Sequence, residues 1–345
     1  MSIIREVGTL DALCVSTIVT NPEGTLTKEK VDSALFSPRA KRLLDKAREL
    51  RVGDGGNGMN TVKLRQRLLR GIIDDGRGVV GSLAIPENFL DASFTELSLA
   101  GSKIGLAFVQ DVLGKSCPGL LNLDLTGCFH LKDDGVHALL QACVGLRGLV
   151  LQNCRKLTDH TLAHVVAEGT NIEALDVGGC FNMTAEGVAT YVSSHPNRAR
   201  FTELHVSGLG LGEPVAEIIY SNCPKLQKLS VGYTALSEGA FQAVAGRLAA
   251  TLQSLHAHWC PAVTDAFLAW LAEGAPRLQD LDVCGCEKVS AEGARRLLEA
   301  RQASAEAQPA KWQAIRSLNV RHTLVSKQDR EILEAAFGGG TRISV

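Results

Sequence analysis

Four residues in the second half of the chain, His256, His258, Asp282 and Cys284, have the types and spacing that could support chemistry. Each histidine precedes an acid or a thiol by 26 positions, so a structural repeat of that length stands His256 beside Asp282 and His258 beside Cys284. Imidazole, carboxylate and thiolate together form a zinc donor set, and an imidazole next to a thiol can take its proton to make a nucleophile. Repetition alone explains the pairing equally well, because neighbouring strands lie about 4.8 Å apart and bring any two equivalent side chains together. The plainer expectation is therefore a polar binding surface with no metal, no cofactor and no catalytic residue.

The elements that must position these residues follow from a leucine register at Leu97, Leu123, Leu149, Leu175, Leu204, Leu229, Leu255, Leu281 and Leu318. Successive gaps are 26, 26, 26, 29, 25, 26, 26 and 37 residues, which gives nine units. Around the register the chain reads CPGLLNLDLTGC at 117–128, TNIEALDVGGC at 170–180 and PRLQDLDVCGC at 276–286, a short alternating strand followed by a cysteine. Period-two alternation points Leu123 and Leu125 into a core and the intervening Asp124 away from it. Each unit then shows a helix start at Thr158, Thr184, Ser237, Thr264 or Ser290, residues that cap an N-terminus, with an acid close behind that favours the positive helix end. Apolar residues at helical spacing follow, such as Val136, Leu139 and Leu140, or Phe267, Trp270 and Leu271.

A single strand–helix unit cannot bury both of its apolar faces, so the units must stack sideways. The expected fold is an α/β solenoid with a parallel sheet on the concave face and helices on the convex face. Cys128, Cys154, Cys180, Cys260 and Cys286 form an inward ladder, replaced by Leu209, Thr234 and Thr323 in other units. They read as small buried hydrophobes, not as disulfide partners. The long gap contains RQASAEAQPAKWQ at 301–313, expected as a loop or a lengthened outer helix, and the terminal TRISV as a cover or an extra edge strand.

With a period in this range and the pattern x-L-x-x-L-x-L/V/A-x-x-C, the chain resembles leucine-rich-repeat proteins of the cysteine-containing subfamily. The cysteine position and the Leu-Thr-Asp helix start, seen at 157–159, resemble the repeat domain of F-box/leucine-rich-repeat proteins. That resemblance implies a substrate-recognition subunit of a cullin-type ubiquitin ligase. It covers 94–345 and does not extend to 1–93, where no Leu-Pro opening of an F-box occurs. Repeats of the same kind without an F-box are found in assembly and axonemal scaffolds, and those are the closer match. An interaction scaffold or adaptor inside a larger protein complex is thus the leading expectation, ahead of a ligase subunit and of a metal-binding or Cys/His enzyme.

Flanking the inward leucines, Asp124, Asp176, His205, His256 and Asp282 would line the concave face, acids first and histidines later, with His258 and Cys284 two residues on. Just past the strands, Tyr233 and Trp259 occupy a position that is glycine in other copies, at Gly127, Gly179 and Gly285. Large rings where glycine suffices are candidate interface anchors.

Residues 1–93 break the period and are expected to form a helical cap or docking segment. Ser37-Pro38 starts a helix, 52–60 is a Gly-rich linker, and helix resumes at Thr61. Ten basic residues, Arg39, Lys41, Arg42, Lys46, Arg48, Arg51, Lys63, Arg65, Arg67 and Arg70, face three acids over this stretch, which suits an arm against an anionic surface. A formal net charge of −1 argues against nucleic acid as the main partner. No apolar run approaches a membrane span or a secretory signal, so the expected location is intracellular, in the cytoplasm or on the cytoskeleton or cilium. The Gly-rich segment at 54–58 lacks the Lys-Ser/Thr of a phosphate-binding loop.

Overall fold

The computed structural model describes residues 117–337 and 340–344, together with 94–102, 104, 106, 109–113 and Leu90. The expected N-terminal cap, its linker at 52–60 and the basic arm therefore lie outside the described residues, Leu90 apart. Two compact units divide the chain, 1–157 and 158–345.

In the first unit, β1 (Glu96–Ser98), a π-helical turn (Val109–Leu113), β2 (Asn122–Asp124), α1 (Asp133–Ala142) and β3 (Gly148–Val150) follow one another. The strands are parallel, and Leu97, Leu123 and Leu149 stand side by side. Its cysteine position is filled by Ser102 in the first copy, then by Cys128 and Cys154, all buried.

The second unit alternates α2 (Asp159–Glu168), β4 (Ala174–Asp176), α3 (Ala185–Ser194), β5 (Glu203–His205), α4 (Glu213–Asn222), β6 (Lys228–Ser230), α5 (Glu238–Arg247), β7 (Ser254–His256), α6 (Asp265–Gly274), β8 (Asp280–Asp282), α7 (Ala291–Ala307), β9 (Ser317–Asn319), α8 (Lys327–Phe337) and β10 (Arg342–Ser344). All seven strands pair in parallel with their sequence neighbours, so that Leu175, Leu204, Leu229, Leu255, Leu281, Leu318 and Ile343 form one buried row. The architecture is an α/β leucine-rich-repeat solenoid. The terminal segment is the extra edge strand β10, and the long gap is a lengthened α7 followed by a loop.

The helix starts are where the capping residues place them. Thr158, Thr184, Ser237, Thr264 and Ser290 each accept a backbone N–H from the first turn of their helix. The acid behind the cap does more than favour the helix dipole: it reaches the next copy of the repeat. Asp159 accepts from Thr184 N at 2.8 Å and Thr184 Oγ1 at 2.7 Å. Asp265 repeats this with Ser290 N at 2.8 Å and Ser290 Oγ at 2.5 Å. The carboxylates fit because Gly187 and Gly293 stand opposite, where a Cβ would collide with them.

The inward cysteines are thiol donors as well as small hydrophobes. Cys154 Sγ donates to Leu125 O at 3.1 Å and Cys286 Sγ to Ala257 O at 3.2 Å, each reaching the carbonyl of the copy before. Thr234 and Ser102 keep the donor, giving their hydroxyl protons to Val231 O and Leu99 O. Burial pushes the thiols of Cys128 and Cys286 up to about 11 and about 12, which keeps the donated proton in place.

A second ladder runs along the helix C-termini, where carbonyls lack an intrahelical partner. His195 Nε2 meets Gly169 O at 3.2 Å. Four copies further on, Arg301 replaces a cap altogether: α7 runs through it, and the residue is 0% exposed. Its guanidinium donates to Ala275 O at 2.6 Å, Pro276 O at 3.0 Å, Leu278 O at 2.7 Å and Gln313 O at 2.6 Å, with the Trp312 ring 5.0 Å away. Burial lowers its pKa to about 10, still protonated at neutral pH. Trp270, expected in the core, is only half buried and lies against Gly246 and Gly274 on the outer side. No helix among the described residues is long and apolar enough to cross a membrane.

Candidate functional site

The face of the sheet opposite the helices is lined as the alternation requires: Asp124 in the first unit, and Asp176, His205, His256 and Asp282 in the second, are half-buried beside fully buried leucines. The aspartates are turn formers first. Asp124 Oδ1 accepts from Thr126 N at 2.9 Å and Thr126 Oγ1 at 2.7 Å, while Oδ2 accepts from Ser98 Oγ at 2.7 Å. Asp176 Oδ1 takes Gly178 N and Asp282 Oδ1 takes Cys284 N, both at 2.9 Å. An acid or amide that bonds the backbone two residues on is the standard way to turn a chain out of a strand.

His256 and Asp282 are register partners, but the imidazole does not bond the carboxylate. Its Nε2 lies 3.2 Å from Ser254 Oγ, and the ring sits edge-on to His205, 6.0 Å between centroids. The two rings meet across Ser230, whose short side chain turns aside to bond Ser207 Oγ at 2.6 Å. The expected pairing of His258 with Cys284 does not form either. The His258 imidazole covers Gly232 on the side away from β8 and packs edge-on against Tyr233, centroids 5.3 Å apart. Absence of a side chain at 232 draws the ring there, leaving Cys284 half-exposed with its thiol pKa raised by burial and by the Asp282 charge. Among the described residues no group of three His, Cys, Asp or Glu side chains is arranged to hold a metal ion.

Burial is the largest influence on His205, His256 and His258, and it lowers each imidazole below its usual value despite nearby carboxylates. His195, buried among Tyr191 and Phe201, is lowered for the same reason. The unfolded chain therefore takes up protons first as the pH drops through about 6.5, and stability must fall over that window while it is unaffected above it. We expect the Tm to decline on going from about pH 7 to about pH 5, and to decline less when His205, His256 and His258 are all glutamine. Identical pH profiles for the two proteins would remove these imidazoles from the account.

Tyr233 and Trp259 stand out for their backbone. Their φ values are 56° and 55°, in the left-handed region, and His322 shares the position at 56°. Other copies use Gly101, Gly127, Gly179, Gly208 and Gly285 there, with φ between 67° and 78°, or Asn153 at 60°. A Cβ in this conformation costs about 1 kcal/mol relative to glycine. Nothing in the core repays it, because Tyr233 is 57% and Trp259 41% exposed. The rings instead form a ledge. Tyr233 lies near-parallel to Trp259 at 6.1 Å, Trp259 covers Gly285, and His322 follows at 6.0 Å. His322 was not singled out from the sequence, although it stands four residues after Leu318 just as Trp259 stands four after Leu255.

The sequence matches no known protein family and no curated relative. Solved structures do resemble the fold. A chain from the crystal structure of the Rad7 and Elc1 complex in yeast aligns with a TM-score of 0.53 at 12% identity, over 98% of both chains. An internalin C2 from Listeria monocytogenes aligns over 75% of this chain and 88% of its own, with a TM-score of 0.38 and 16% identity. The C-terminal domain of tropomodulin from Caenorhabditis elegans covers 43% of this chain and 93% of its own, at 0.35 and 11%.

Proposed function

We propose that the chain is a non-catalytic interaction module of the cysteine-containing leucine-rich-repeat kind, an adaptor or structural subunit inside a larger intracellular assembly such as a cytoskeletal one. The observation that carries this reading is the exposed ledge of Tyr233 and Trp259, held in a disfavoured backbone conformation without core packing in return. Strain kept at an exposed position is a mark of function. Asp124, Asp176, His205, His256, His258, Asp282 and Cys284 supply the polar surround, and residues 1–93 serve as cap and docking arm. Buried thiols used as protonated donors fit a reducing compartment.

Cross-linking mass spectrometry on native extract tests this. Lys228 sits on the open face, salt-bridged to Glu203 at 2.7 Å, and is the expected cross-linking site. Partner cross-links at Lys228 should disappear when Tyr233 and Trp259 are both glycine; unchanged retention of the partner by that variant rejects the anchor role. The repeat pattern with its Leu-Thr-Asp helix starts supports a second reading, a substrate-recognition subunit of a cullin-type ubiquitin ligase. Co-purification of the ligase's adaptor protein separates it from the first.

A further inference from the structure

We infer that the ledge on β6–β9 takes an arginine-bearing extended segment of a partner protein, its guanidinium stacked on the Trp259 and Tyr233 rings and paired with Asp282. This deepens the reading of the open face as a protein-binding surface and rests on it.

Two features on the same strands select the occupant. The first is the aromatic row itself, whose near-parallel, exposed rings offer π-faces to a flat cation. The second is charge. Asp280 and Asp282 lie on β8, beside the strand whose end carries Trp259, and neither forms an ion pair with a lysine or arginine among the described residues. The carboxylate of Asp282 lies close enough to act on His256, His258, Cys284 and Cys286, although burial is the larger influence on each. Neighbouring cations are few: Lys228 is already matched by Glu203, and Arg321 stands beyond Cys284. Histidines 205, 256 and 258 stay neutral in their half-buried positions, so they add planar polar surface without adding positive charge near pH 7.

Arginine fits this combination better than lysine. Its planar guanidinium stacks on aromatic faces and still presents donors in a fork to a carboxylate, whereas the ammonium of lysine is compact and strongly hydrated. An apolar or proline-rich segment would use the rings but bring no cation to Asp282, whose Oδ1 already accepts from Cys284 N and whose charge has no ion pair among the described residues.

Titration calorimetry of the full chain with a short arginine–glycine–serine peptide, and with matched lysine and citrulline peptides, tests the assignment. The arginine peptide should bind, the lysine peptide more weakly and the citrulline peptide roughly tenfold or more weaker still. The variants Tyr233→Gly and Trp259→Gly should each weaken binding roughly tenfold while leaving the Tm unchanged or raised, since glycine suits the left-handed position. Asp282→Asn should lose the preference for arginine over citrulline. Equal binding of arginine and citrulline peptides overturns the inference, as does a glycine variant that binds like the parent. If the rings prove necessary for a cross-linked partner whose contacting segment holds no arginine, or for single-stranded RNA, the arginine assignment fails. In the first of those cases the interaction reading stands.

Discussion

Arg301→Leu should lower the free energy of unfolding by about 3–5 kcal/mol, a large part of the stability of any domain. The guanidinium serves four carbonyls at once, three of them at the end of α6 and one, Gln313 O, in the loop that follows α7. Hydrogen bonds to a charged donor are worth about 1.5–3 kcal/mol each, so their simple sum would exceed the expected loss. Burying the charge offsets part of that sum, because no carboxylate accompanies Arg301 in the described structure and its Nε has no partner. Lysine at this position keeps the charge but cannot fork between Ala275, Pro276 and Leu278, so Arg301→Lys should recover little. Urea denaturation of both variants reads the effect. A midpoint equal to the parent's in either would show that water or loop relaxation satisfies these carbonyls without the side chain.

Gly293→Ala should change sign with its neighbour. Alanine is ordinarily the better helix residue by about 0.5–1 kcal/mol. Here its Cβ would drive the Asp265 carboxylate off the Ser290 cap, breaking two bonds that hold α6 to α7. The net result in the parent is a loss of about 2 kcal/mol. With Asp265→Ala already in place the obstruction is gone, and the same substitution should stabilise by a few tenths to about 1 kcal/mol. The coupling in a double-mutant cycle is then positive and close to the sum of those two figures. A loss of equal size in both backgrounds would mean that the glycine is needed for its own backbone and not for the carboxylate. Gly187 and Asp159 offer the same experiment four copies earlier in the array.

Strand register and helix starts were legible in the sequence because both are local. A leucine at each of the nine register positions fixes which side chains sit side by side, and a threonine or serine cap bonds its own helix. Orientation within the site was not legible, since it depends on what a neighbouring copy leaves empty. His258 turns over Gly232 instead of toward Cys284, and His256 meets His205 across a serine two strands away from Asp282. In the sequence the acid of the Leu-Thr-Asp start serves the helix dipole, and its grip on the next cap shows only with Thr184 and Gly187 in place. In the sequence Arg301 is one more polar residue, at the start of the 301–313 stretch. Its burial is invisible in composition, because what accepts it is backbone.

The left-handed position recurs once per copy and is fixed by the turn, whatever side chain it carries. Ring chemistry there can consequently be rewritten without disturbing the layers of leucine and cysteine beneath, at a modest and separate penalty for every glycine replaced. Chains built on this plan are free to diversify what they recognise along a single line of sites, and a new specificity could be grafted by moving two or three rings along that line while the interior is inherited intact.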